Sequence, residues 1–394
     1  MSKSLAFCKR GRRWLRVIDQ LYAYTFPRRQ YLKIISLVIL FALSKSSLAQ
    51  GINLEKLKLP DGFSISVYAE VENPRQLAYG PDNTVFVGSL RGKVWALKSH
   101  DSGSSASEVS LVAQGLNTPT GVAYYDGDLY IGEINRISKI SDIGSKLNVP
   151  QETETVTNSL PNRRHHGFKF LAIGPDEKIY FPVGAPCNVC EVDEYFGTLM
   201  KMNLDGSGVE IIARGVRNTV GFDFHPISGE LWFTDNGRDM LGDDVPACEI
   251  NRLEFNGQHF GFPYIHQGDL PDPRFGSGHN PSDYAAPVLK LGAHVAPLGL
   301  TFSRGNRMPS RFRNAVFWAE HGSWNRSQKN GYRVMVGEIS ESNNSIISNE
   351  PFISGWLDGQ DHWGRPVDIL NMPDGSLLIS DDMANAVYRV VYNQ

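Results

Sequence analysis

Two adjacent histidines, His165-His166, an arginine–asparagine pair, Arg217-Asn218, and single cations at Arg75, His294 and Arg365 are the groups in this sequence best suited to chemistry. Imidazole near neutral pH can take or give a proton. Guanidinium groups hold carboxylate and carbonyl oxygens through charge-assisted hydrogen bonds. Each of these residues stands at the head of an apolar run, so their spacing repeats along the chain. A histidine at the head of a strand is as often a satisfied structural residue, and an arginine there often bridges to a neighbouring carboxylate. Their shared register favours the functional reading: a ring of such groups can hold a polyanionic ligand and present it with a proton acceptor. The acidic loop Asp235–Glu249 adds carboxylates and glycine-turn carbonyls, hard oxygen ligands suited to Ca²⁺, at a spacing unlike that of an EF-hand.

Strands joined by tight turns must position these groups. The clearest unit is GVRNTVGFDFHPISGELWFTDNG from Gly215, in which two alternating apolar segments, Val220–Phe224 and Leu231–Thr234, flank a His-Pro-Ile-Ser-Gly turn. The same pattern begins at Asn73, Asn117, Arg163, His294 and Trp363. Pro81-Asp82-Asn83, Pro175-Asp176-Glu177 and Pro373-Asp374-Gly375 punctuate equivalent places, as strand connections require. Six such units, each the size of a propeller blade with its loops, predict an all-β fold, a six-bladed β-propeller spanning residues 50–394. The segment Asn53–Tyr68 is expected to supply the outer strand that closes the ring. No GxGxxG follows a strand and no β/α alternation occurs, which disfavours a nucleotide-binding parallel sheet. In a propeller the heads of the innermost strands meet at one mouth of the central channel. Arg75-Gln76, Asn117-Thr118, His165-His166, Arg217-Asn218, His294 and Arg365 are therefore expected to converge there.

The 394 residues carry 39 Lys+Arg against 42 Asp+Glu, a net charge of −3, which gives no basic field for nucleic acid. Residues 1–49 read as a signal peptide: basic clusters, the apolar run Ile34–Leu43, then Ser47-Leu48-Ala49 as a cleavage site. The expected location is periplasmic or secreted, with an uncleaved membrane anchor as the alternative. Cys8 falls in that leader. Cys187-Asn188-Val189-Cys190 lacks the histidine of a haem-attachment motif and a second pair for zinc. A disulfide within it, or to Cys248, fits export and leaves one thiol over.

The stretches HHGFKFLAIGPDEKIYFPVGAPCNVCE, GVRNTVGFDFHPISGELWFTDNG, CEIN at Cys248–Asn251 and RPVDILNMPDGSLLISDD resemble the glucose/sorbosone dehydrogenase family, most closely its sorbosone-dehydrogenase-like branch. The family uses pyrroloquinoline quinone (PQQ) and Ca²⁺, and the resemblance spans nearly all of residues 50–394. It implies oxidation of an aldose or sugar aldehyde at the hemiacetal or aldehyde carbon, with electrons passed on to a cytochrome or quinone. The family's catalytic histidine lies eight residues before the glycine of its Gly-Pro-Asp turn; counting back from Gly174 reaches His166, with His165 as fallback. By resemblance His166, as a neutral imidazole near its ordinary pKa, takes the substrate's hydroxyl proton. Arg217 and Asn218 contact the quinone oxygens, and Arg365 meets a cofactor carboxylate. Arg326 or Lys329, in the loop from His321, offers a further carboxylate partner. The backbone carbonyls of Gly237 and Arg238 correspond to the family's Ca²⁺ ligands.

Departures from the pattern are Thr219 for a proline, Arg238 for a proline, and Phe170, with Lys169 beside it, for an arginine. Selectivity is expected to lie in insertions such as Gln258–Leu291. The sequence leaves oligomeric state open. The rival readings are a non-catalytic binding propeller and a Ca²⁺-dependent lactonase, which would need carboxylates and amides where this register supplies histidine and arginine.

Overall fold

The computed structural model describes residues 51–99, 103–304, 307–340 and 345–393. The leader expected over residues 1–49, with Cys8, lies outside the described residues. Among those residues helix is confined to short 3₁₀ turns such as Leu54–Lys56, and no helix is long and apolar enough to cross a membrane.

Six antiparallel sheets succeed one another along the chain as the blades of a β-propeller. Blade one comprises Pro74–Tyr79, Thr84–Ser89, Val94–Lys98 and Glu108–Ala113, from the channel outward. Blade two comprises Gly121–Tyr125, Asp128–Gly132, Ile137–Ile140 and Glu154–Thr157, in the same order. Blade three begins with the short inner strand Ala172–Ile173 and continues through Ile179–Val183, Thr198–Met202 and Glu210–Arg214. Blade four is Phe222–Phe224, Leu231–Asp235, Ala247–Leu253 and Leu289–Ala293; blade five is Pro297–Phe302, Ala315–Glu320, Arg333–Ile339 and Ile346–Ile353. Blade six takes Pro366–Asn371, Leu377–Asp381 and Ala386–Tyr392 from the end of the chain. Its outer strand, Phe63–Glu70, comes from the beginning, with Phe63 opposite Tyr392. The expected closure of the ring by the early segment is thus realised.

The second strand of a blade is covered by neighbouring blades on both faces, so it is apolar without alternation. Ala-Val-Phe-Trp-Ala-Glu at Ala315–Glu320 and Leu-Leu-Ile-Ser-Asp at Leu377–Asp381 are buried throughout. Cores form between blades: Trp232 and Ile250 of blade four pack with Phe302, Val316 and Trp318 of blade five. Each such fully buried large side chain contributes roughly 1.5–3 kcal/mol relative to exposure. Where inner strands approach, bulk is excluded: a Cβ on Gly221 would lie 2.1 Å from the Leu298 carbonyl oxygen. Side chains stitch the inner strands together around the channel. Gln76 Oε1 accepts from the Val122 and Leu171 amides at 3.0 and 2.8 Å, and its Nε2 donates to Leu171 O at 2.6 Å. Asp368 accepts from Leu77 N at 2.8 Å, and Thr234 Oγ1 donates to Leu298 O at 2.7 Å.

The region 258–291 is organised against the blades rather than looped free. Gln258–His259 adds a parallel fifth strand to blade three beside Ala213–Arg214, and Ile265–His266 pairs with Leu270–Pro271 in a hairpin. The chain then returns as the outer strand of blade four.

Candidate active site

Antiparallel pairing puts the head of each inner strand beside the end of the second strand. Pro74 faces Ser89, Gly121 faces Gly132, Pro297 faces Glu320 and Pro366 faces Asp381. Inner-strand heads and the loops that leave the second strands therefore share one mouth of the propeller. A carboxylate at the end of the second strand recurs there and fixes the incoming backbone. Asp235 accepts from Arg217 N and Asn218 N at 2.8 and 2.6 Å; Glu133 accepts from Asn117 N at 2.6 Å; Asp381 accepts from Arg365 N at 2.8 Å. Burial pushes the Asp235 carboxyl up to about 6 although those amides favour its charge. The strand-head register thus has a physical cause.

His166 occupies a left-handed turn, φ 51°, just ahead of blade three. Its Nδ1 lies 2.9 Å from Ala185 O. A carbonyl only accepts, so Nδ1 carries the proton and Nε2 keeps its lone pair. Burial, then the charge of Arg217, then His165, lower the ring's pKa to about 2. The sequence had suggested an ordinary imidazole; desolvation and a neighbouring guanidinium make it a strictly neutral one. Gly184 packs beneath it, where a Cβ would lie 2.6 Å from His166 O and 2.7 Å from its Cβ. Lys169 is fully buried, and its Nζ donates to Gly167 O at 2.8 Å, bracing the adjoining peptide. Burial brings that amine down to about 7. His165 is exposed, its ring centroid 4.0 Å from that of His166, and burial with the Arg217 charge lowers its pKa as well.

Ala185 couples His166 to Arg217, because its own amide donates to Arg217 O at 2.9 Å. The Arg217 guanidinium is buried and extensively bonded. Nε donates to Asn188 O at 2.8 Å, Nη1 to Asn236 O at 3.1 Å, and Nη2 to Asn188 Oδ1 at 2.8 Å and Asp239 Oδ2 at 3.1 Å. Asp239 also lies 3.5 Å from His294 Nδ1, and that contact raises the His294 pKa. Asn188 belongs to the loop closed by the Cys187–Cys190 disulfide; Cys248 is the buried free thiol.

Across the mouth a second cluster joins blades one, five and six. Asp382 binds Arg75 Nη1 at 2.7 Å and His321 Nε2 at 2.8 Å. Burial raises the Asp382 pKa, but His321 and Arg75 more than offset it and hold the carboxylate ionised. Burial in turn brings His321 down to about 4 despite Asp382. Arg365 donates through Nε to His321 O at 2.9 Å and through Nη2 to Gly322 O at 3.0 Å, while Nη1 makes no hydrogen bond with a described residue. Arg326 pairs with Asp244 at 2.9 Å, and Lys329 donates to Gln360 O at 2.7 Å beside His362. The Arg238 side chain pairs with buried Asp272, which also holds His266 at 2.9 Å. The carbonyls of Gly237 and Arg238 accept no hydrogen bond from a described residue.

The structure therefore gathers His165, His166, Arg217 and Asn218 on one side of the mouth, and Arg75, His321 and Arg365 on the other. Gln76 does not face the mouth; its amide is consumed as the channel stitch. The roles of Asn188 and Asp382 are not visible in the sequence, where Asp239 stands only as one carboxylate of the acidic loop Asp235–Glu249. Only the position of Asn188 between the two cysteines marked it.

The model of the Glucose / Sorbosone dehydrogenase family matches residues 133–386. An uncharacterized protein of Borreliella burgdorferi is 33% identical over 369 residues, covering 90% of this chain and 96% of that protein. Quinoprotein glucose dehydrogenase B of Acinetobacter calcoaceticus is 25% identical over 296 residues, 61% of this chain and 59% of that one. Among solved structures, the PQQ domain of pyranose dehydrogenase from Coprinopsis cinerea in its holo form superposes with a TM-score of 0.73. It is 17% identical, covering 85% of this chain and 96% of that one, a likeness of fold.

Proposed function

The chain belongs to the glucose/sorbosone dehydrogenase family, and from that premise we propose that it is a PQQ- and Ca²⁺-dependent dehydrogenase of an aldose or sugar aldehyde. The observation that carries the reading is the fixed tautomer of His166: a neutral imidazole whose Nδ1–H is committed to Ala185 O, leaving Nε2 as a proton acceptor at the mouth.

The donor set suits a planar tricarboxylate quinone. Arg365 keeps Nη1 uncommitted, Arg217 keeps one N–H of Nη1, and Asn218, Arg326 and Lys329 stand around the same mouth. The uncommitted carbonyls of Gly237 and Arg238 suit a hard cation. Among the described residues no group of three His, Cys, Asp or Glu side chains is placed to hold a metal ion, so carbonyls would be the protein's principal contribution. When bound, the quinone supplies the two-electron acceptor.

The chain's own residues do the rest. As the substrate's C–H pair leaves as hydride, its hydroxyl proton passes to His166 Nε2, and the carbon becomes the carbonyl of a lactone or acid. Three influences hold the basicity of His166 down: burial, then the charge of Arg217, then His165. An anionic ligand at the mouth counters the charge of Arg217 and brings the ring toward a useful range. Arg217, held by Asn188 and Asp239, directs its remaining N–H at developing negative charge without having to reorganise. The leader read over residues 1–49 would place the reaction in the periplasm or outside the cell, with a cytochrome or quinone as electron acceptor.

The test is titration of the purified, metal-stripped protein with PQQ, with and without Ca²⁺, followed through quinone absorbance, then addition of aldoses and sugar aldehydes. Stoichiometric Ca²⁺-dependent binding and bleaching by substrate are expected. No binding at micromolar PQQ would overturn the reading in favour of a binding propeller without redox activity.

A further inference from the structure

We propose that Asn188, seated in the ring closed by Cys187–Cys190, is the positioning residue of Arg217: it aims the guanidinium as a single directed donor toward the mouth. Four hydrogen bonds meet on this one residue. Its carbonyl accepts Arg217 Nε at 2.8 Å, and its Oδ1 accepts Arg217 Nη2 at 2.8 Å and the Asp239 amide at 2.8 Å. Its Nδ2 donates to Asp239 O at 3.0 Å. Asp239 completes the enclosure with its own bond to Nη2 at 3.1 Å. A guanidinium has five N–H groups. Nε, both on Nη2 and one on Nη1 point into the protein, so one remains.

Nothing else in regular structure holds Asn188. It lies between the strand Ile179–Val183 and the strand Thr198–Met202, in a connection with no ladder of its own. The disulfide supplies the missing constraint, and with only two residues between its cysteines it closes a short ring. Short rings contribute least to global stability, because loop entropy grows with loop length. The cross-link therefore acts chiefly on local geometry. The same ring borders the other half of the site, since the Cys187 backbone acts on the His165 ring, raising its pKa against burial and the Arg217 charge. One clamp thus fixes the arginine and borders the histidine pair.

The functional half of this inference rests on the PQQ reading; the clamp itself does not. The experiment uses the full protein as wild type, Asn188→Ala, the pair Cys187→Ser with Cys190→Ser, and the triple variant. In arginine-labelled apoprotein, the Arg217 Nε–H signal is assigned by its disappearance in Arg217→Lys. Its exchange with solvent is expected to be slow in wild type and at least about tenfold faster in Asn188→Ala and in the serine pair. Titration with PQQ and Ca²⁺ is expected to show affinity weakened about tenfold to a hundredfold by Asn188→Ala, the scale of hydrogen bonds to a charged group. The serine pair should lose a similar amount, and the triple variant no more than either, because all three remove one device. The denaturant midpoint of the serine pair should move little, because so short a ring contributes little to global stability. That split between affinity and stability separates positioning from a general structural role.

Unchanged Nε–H exchange in Asn188→Ala and in the serine pair would overturn the clamp. Faster exchange with unchanged PQQ affinity would overturn its functional half. A wild-type protein that binds no PQQ would overturn the cofactor reading and that functional half together, while exchange still decides the clamp.

Discussion

Replacing His166 with asparagine separates the proton acceptor from the fold that carries it. The asparagine amide can take over donation to Ala185 O, now made by Nδ1 at 2.9 Å, but it offers no lone pair where Nε2 stood. Loss of a positioned base lowers turnover by about 10²–10⁴-fold, or roughly 3–5.5 kcal/mol of barrier, with PQQ affinity largely kept. The same substitution has a second consequence in the apoprotein. The folded ring titrates at about 2 and the unfolded one at about 6.5. Below about pH 6.5 the unfolded chain binds a proton that the folded protein refuses, so stability present above that pH is lost as pH falls toward 2. Between about pH 7 and pH 5 the loss comes to about 2 kcal/mol. Urea denaturation of wild type and His166→Asn at both pH values isolates this contribution from the other histidines. Wild type should lose about 2 kcal/mol more than the variant on acidification. Equal losses would show that His166 is not held neutral, and turnover within about tenfold of wild type would place the base elsewhere.

Gly184→Ala should disable turnover while leaving the fold intact, because its Cβ would fall 2.6 Å from His166 O and 2.7 Å from its Cβ. Steady-state kinetics beside a circular-dichroism melt would check this, and wild-type kcat would refute it. Arg75→Ala leaves the buried Asp382 carboxylate with His321 alone, at a cost of about 3–5 kcal/mol at neutral pH. Removing that positive charge also raises the His321 pKa, so the deficit should shrink in acid as His321 protonates; denaturation at two pH values reads both effects. Gln76→Ala strands the Val122 and Leu171 amides and the Leu171 carbonyl in the channel wall. At about 1–3 kcal/mol for each unsatisfied group, a drop of several kcal/mol is expected in the same assay, with the site residues otherwise untouched.

The ring of blades was legible because its physics is local and repeated. A polar strand head and an apolar run recur at each blade, a Pro-Asp or His-Pro turn punctuates blades one, three, four and six, and the pairing of Phe63 with Tyr392 completes what the early segment promised. Strand limits were less so. Val220 reads as strand, yet the strand begins at Phe222, while Val220 joins Leu298 and Val367 in the channel. The polar heads converged as their register required, but their pairing was hidden. Arg75 reads as a free cation until blade six folds back and brings Asp382 to it. Arg217 reads as open until the cystine loop of blade three closes over it. Such partners lie far apart in sequence, and no local pattern announces them. The pKa of His166 was hidden for the same reason: its two largest causes are burial and the charge of Arg217, far along the chain, and only the smaller one, His165, is a neighbour in sequence.

The seam in blade six sets the order in which this molecule can be made. Phe63–Glu70 leaves the ribosome before any of the blades, yet its hydrogen-bonding partner, Ala386–Tyr392, is synthesised after the other five. Until then the first strand has an unpaired edge and the circle is open. Blades one to five can condense as they appear, whereas the finished ring is a property of the whole chain. Joining the two ends by a linker and opening the chain between other blades would move that deadline, and the arrival of channel closure during synthesis should move with it.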